Sequence, residues 1–196
     1  MASKEDAIRS IGRSKAAVDN GFSRIGRTLS REDPAAAWLQ AATGRALALC
    51  DAVILLCREH HAVESASLAR AVIQLACDMR WVASEEGPTR LQALERSGQE
   101  GDWGALWSAA ALRSRLAAAG FPEDAVEDWC KTSARLCVGH LSGGAAGLPW
   151  AHAFPDTRPR LSVDEALDAA AGALREAIRA LERRWPGSFV LEEARE

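Results

Sequence analysis

Residues 162–187 read SVDEALDAAAGALREAIRALERRWPG, and this stretch constrains the fold most. Ser162 and, three residues on, Glu165 make a capping box that opens a helix. Val163, Leu167, Leu174, Ile178, Leu181 and Trp185 keep a three-to-four spacing, and Pro186-Gly187 ends it. A helix this long with one apolar stripe must lay it against other elements. The rest of the chain offers almost only helices for that purpose. Period-two alternation with β-branched residues is nearly missing. The fold class is therefore all-α: a bundle of about five to seven helices in a single domain.

The other helices follow from spacing and breaks. The first is expected from about 4 to 29, with Ser3 and Asp6 at its start and an apolar stripe of Ile8, Ile11, Val18, Phe22, Ile25 and Leu29. Lys15 interrupts the stripe, and Asn20-Gly21 is a candidate kink or break. Asp33-Pro34 opens a second helix, to about 60. Its middle, LALCDAVILLC, is apolar almost all round and should be central. A third runs from about 63 to 85 and ends at Glu86-Gly87-Pro88. Shorter helices are expected at 88–97 and 102–119, then one from Pro122 to about 139. Residues 141–161 carry three Gly and three Pro and read as a loop. The first two long helices should form a hairpin. By this reading 1–30 is an N-terminal helix available for packing or dimerisation, 31–188 the bundle core and 189–196 a C-terminal tail.

Composition excludes several classes. With 196 residues and a net charge of −3, the chain has no global basic field for nucleic acid. Any such site must be a local patch. Lys occupies only positions 4, 15 and 131, so 21 of the 24 basic residues are Arg. That bias, with abundant Ala, reads as a GC-rich bacterial genome rather than as function. The start, MASKEDAIRS, is polar and unlike a signal peptide. Asp51 interrupts the most apolar run, 46–57, which is too short for a bilayer. The chain is expected in the cytoplasm with no membrane partner. Five cysteines, at 50, 57, 77, 130 and 137, include no C-x-x-C pair and read as small buried thiols.

Polar residues that break the apolar pattern are the candidate site residues. In the third helix Arg70, Gln74 and Asp78 fall at i, i+4 and i+8, one polar line on an apolar helix. The line either faces solvent or forms a seam at a site or interface. Cys57, His60, His61 and Glu64 sit at spacings that can hold a metal on a helix. They straddle a helix end without a second ligand pair, so an exposed histidine-containing turn is the preferred reading. No cofactor is expected. Arg175, Arg179 and Arg183 form a ridge on the last helix. Arg9, Arg13, Arg24, Arg27 and Arg31 stud the first helix and the residues beyond it. Both ridges read as solvated faces with local ion pairs. In the 141–161 loop, Trp150, His152 and Phe154 either plug the core or make a stacking platform.

The stretch SARLCVGHLSGG, 133–144, places His140 five residues after Arg135. In so arginine-rich a chain, about one such spacing arises by chance, so spacing alone marks nothing. Five residues also turn the two side chains about 140° apart on a straight helix. They converge only if the helix ends near Gly139, or if a two-fold dimer brings two pairs together. The chemistry fits RNA cleavage without metal. His140 would act as general acid or base on the 2′-hydroxyl. Arg135 would stabilise the charged transition state.

Residues 46–82, ALALCDAVILLCREHHAVESASLARAVIQLACDMRWV, followed by ARLCVGHLSGG, resemble bacterial families of unknown function related to HEPN domains. In those families a helix patterned small residue, Leu, Arg, apolar, acid precedes a histidine-containing helix end. Arg70 matches that arginine, Gln74 stands in the place of the acid, and Arg135 and His140 match the ribonuclease pattern. The resemblance implies an HEPN-like bundle, a homodimer, and relatives among toxin and phage-defence ribonucleases. It assigns Arg135 and His140 as the catalytic pair, with Arg70, Gln74, Asp78 and Ser142 in support and RNA as substrate. The rival expectation is a non-catalytic module that dimerises through the first helix's stripe or binds a partner protein. A ligand pocket under Trp150 and Phe154 is a third.

Overall fold

A computed structural model describes residues 3–26, 33–99, 109–136 and 162–191. These residues form seven α-helices: α1 Lys4–Ile25, α2 Pro34–Arg58, α3 Ala62–Val82, α4 Gly87–Gln99, α5 Ala109–Ala118, α6 Glu123–Leu136 and α7 Val163–Arg184. No strand occurs among them. Local chemistry sets the starts. Both expected capping boxes are present, Ser3 with Asp6 and Ser162 with Glu165. Asp33 caps α2, its side chain accepting from the Ala36 amide at 3.1 Å, with Pro34 in the first turn.

Two helices hold the bundle: α1, α2 and α3 pack on α7, and α3 also meets α2, α4, α5 and α6. Leu167, Leu174, Ile178 and Leu181 supply the bulk of the buried surface of α7. Ala166, Ala170, Ala173, Ala177 and Ala180 widen the buried arc well beyond one stripe. Alanine costs little side-chain entropy and lets three backbones come close. This corrects the expectation that α2 is central. One face of α2 is buried, and the opposite face, including Ala41, Gly44 and Ala48, is exposed.

The hairpin is also elsewhere than expected. It joins α2 to α3, while α1 touches α2 only lightly. The turn is tight because His60 takes a positive φ of 61° and the His61 amide donates back to the Leu56 carbonyl at 2.9 Å. That is the helix-ending geometry usually given to glycine.

The stripe of α1 turns inward rather than toward a partner. Ala7, Ile11, Ser14, Val18, Gly21 and Ile25 are all buried within the one chain. The helix runs unbroken through Asn20-Gly21. Gly21 serves packing: a Cβ there would lie 2.2 Å from the Phe189 ring. Phe189 is fully buried and meets Phe22 edge-on at 5.1 Å. The assigned tail therefore starts inside the core.

Cys50, Cys57 and Cys77 are buried free thiols, as their apolar surroundings suggested, and Cys130 is half-buried. Burial pushes the Cys50 thiol up to about 12 and raises Cys77 as well. Cys137 lies outside the described residues.

Candidate functional site: the cleft between α6 and α7

The polar line on α3 faces neither solvent nor a cleft. It lies against α5 and α6. Arg70 Nε donates to Ser133 Oγ on α6 at 3.4 Å. Gln74 is buried. Asp78 accepts from Arg115 on α5 at 2.7 Å, their side chains only 14 % and 10 % exposed. Loss of hydration pushes the Asp78 carboxyl from 3.8 up to about 6, against the pull of Arg115. Beside it, Arg80 donates to Glu176 on α7 at 2.5 Å and stacks 3.9 Å over the Phe121 ring. These charges join helices.

Arg135 lies in a different place. It sits in the last turn of α6, 63 % exposed, and donates to Glu165 in the first turn of α7. The two helices flank a cleft of about 340 Å³. Helix α6 contributes Asp128, Trp129, Thr132 and Arg135, which share one face at spacings of three and four. Helix α7 contributes Glu165, Asp168 and Arg175. The capping box fixes Glu165, because its other oxygen accepts from the Ser162 amide at 3.4 Å. Arg175 is held by Ser10 of α1 at 2.8 Å. Three carboxylates thus stand among two guanidiniums, each of which already has an acceptor.

This geometry sorts the expected site residues. Ser133 and Arg135 are two positions apart, about 200° around the helix, so one meets α3 and the other α7. Arg70, Gln74 and Asp78 therefore line none of the Arg135 cleft. His140, Ser142, Trp150, His152 and Phe154 lie outside the described residues. Cys57 is buried, its thiol donating to the Val163 carbonyl at 3.4 Å, while His60, His61 and Glu64 are exposed around the turn. Among the described residues, no three His, Cys, Asp or Glu come close enough to hold a metal.

The ridge on α7 is used within the molecule. Arg179 pairs with Glu176, and Arg183 donates to the Ala119 carbonyl at 3.4 Å. A larger cavity of about 520 Å³ sits where α2 starts and α3 ends. The ion pair of Arg184 with Asp33 lies in its wall, and none of its lining residues is aromatic.

Asp128, Trp129 and Asp168 were not anticipated, and Glu165 was read only as a cap. The i, i+4, i+7 spacing of Asp128, Thr132 and Arg135 was the available signal for the α6 wall. No family model, curated protein or solved structure matches this chain.

Proposed function

We propose that the chain is a non-catalytic binding module whose ligand site is the α6–α7 cleft and whose ligand presents a cationic group. The supporting observation is charge: Asp128, Glu165 and Asp168 outnumber Arg135 and Arg175 around Trp129. A guanidinium or ammonium group gains from such carboxylates and from an indole face. A phosphate would first have to take Arg135 from Glu165. Thermal unfolding with arginine ethyl ester, against single-stranded RNA at equal low salt, tests this. The ester should raise the midpoint of wild type and leave Asp168→Asn nearly unmoved, because a ligand stabilises the state it binds. No shift at millimolar ester, or an equal shift in both proteins, rejects the reading.

The exposure of Arg135, five residues ahead of His140, favours a second reading. Here the chain is an HEPN-like, metal-independent endoribonuclease of the toxin and phage-defence kind. His140 moves the proton of the 2′-hydroxyl and Arg135 stabilises the pentacoordinate phosphate. Glu165 then competes with the substrate for Arg135, so Glu165→Gln should cleave RNA faster than wild type without divalent metal. Equal cleavage by wild type and His140→Ala sinks this reading.

A further inference from the structure

The arginine ridge of α1 follows the expected pattern of local ion pairs only in part. Arg9 pairs with Asp6. Arg13 and Arg24 instead line a groove of about 360 Å³ between α1 and residues 188–190. No acidic and no aromatic residue lines this groove. The α6–α7 cleft and the cavity at the start of α2 both set carboxylates beside their arginines. Among the described residues, no hydrogen bond or ion pair engages the Arg13 side chain. Arg24 donates to a neutral acceptor, the Ser188 carbonyl, at 3.2 Å. Beside them Val190 is 56 % exposed.

We propose that this groove binds an acidic segment of a partner polypeptide, held in extended form. Arg13, Asn20 and Arg24 fall within about 40° of one another around α1, and the two arginines stand about 16 Å apart along its axis. That separation suits two anionic groups on one extended ligand better than one phosphate. Acidic residues four or five apart on an extended strand span about 13–17 Å. Each guanidinium can hold a carboxylate through two parallel hydrogen bonds. Between the charges, Ala16, Ala17 and Val190 offer an apolar floor. Asn20 adds a donor and an acceptor that suit a peptide backbone. A single RNA strand would find no aromatic ring there for its bases to stack on. The proposal is independent of the α6–α7 cleft, whose proposed ligand has the opposite charge.

Fluorescence anisotropy of labelled hexaglutamate, titrated with the full chain at low salt, tests it. Wild type should bind, and Arg13→Gln should weaken binding at least about threefold while keeping the wild-type circular dichroism. Val190→Asp, which adds an acid to the groove and leaves both arginines in place, should weaken it too. Arg45→Gln, exposed on α2, should not. No binding by wild type, or equal losses in Arg13→Gln and Arg45→Gln, overturns the proposal. Inorganic phosphate or single-stranded RNA that displaces hexaglutamate at equal charge concentration overturns it in favour of a phosphate ligand. Glu192 and Glu193 follow the groove in sequence. Tighter binding by the Glu192→Gln, Glu193→Gln double variant assigns the groove to the chain's own acidic residues and overturns a partner as its occupant.

Discussion

The α3 seam and the α6–α7 cleft are built from the same residue types, and burial gives them opposite consequences. Asp78 and Arg115 are almost closed off from water, whereas Arg135 is mostly open to it. In the seam, each charge depends on its partner, because an unpaired ion there has no water to replace it. In the cleft, solvent screens each charge, and a ligand can exchange for a partner at modest cost. Ion pairs alone therefore do not single out a candidate ligand surface; exposure beside a concavity does.

Removing one partner tests the contrast most strongly. Asp78→Ala removes a buried acceptor from Arg115 and should cost about 3–5 kcal/mol in urea unfolding. Arg135→Ala should cost under about 1 kcal/mol in the same assay. Comparable losses from both variants would erase the distinction. Between these lies Ser162→Ala, which removes the cap that holds Glu165 in place, at about 1 kcal/mol.

Acidity separates the two regions further. The raised carboxyl of Asp78 means that the folded chain binds a proton there more tightly than the unfolded chain does. Its contribution to stability should fall as pH rises from 3.8 to about 6 and stay flat above. The stability of wild type relative to Asp78→Asn should therefore drop across that window. A difference that does not vary with pH would show that the group titrates normally. Among the thiols the expected effect is kinetic. Peptide mapping after brief alkylation should find the half-buried Cys130 modified well before Cys50 or Cys77, where fuller burial raises the thiol further and shields it.

The sequence pattern carried the helices better than their arrangement. The two capping boxes marked the starts of α1 and α7, and the spacing along α7 marked its buried leucines. The same spacing showed that Arg70, Gln74 and Asp78 share a face, but a period says nothing about which element covers it. Cover came from α5 and α6, far along the chain. The reading of α2 as central erred for a related reason. Alanine and glycine count as apolar in a pattern, yet leaving them exposed costs little, so α2 can turn that face outward. The cleft was least legible. Arg135 stood out only as an arginine near a histidine, and its actual partner lies 30 residues on. The pairing of α6 with the first turn of α7 is a tertiary fact with no local signature.

The slot at Gly21 has a consequence for how the chain is made. Phe189 fills it, and Arg24 in the same helix donates to the Ser188 carbonyl, 164 residues away in sequence. During synthesis α1 emerges well before its docking surfaces, α7 and Phe189. Its apolar stripe must wait, uncovered, for about ten seconds or more at ordinary elongation rates. A nascent chain stopped before residue 189 should hold α1 loosely, which makes a helix translated early one that is locked late.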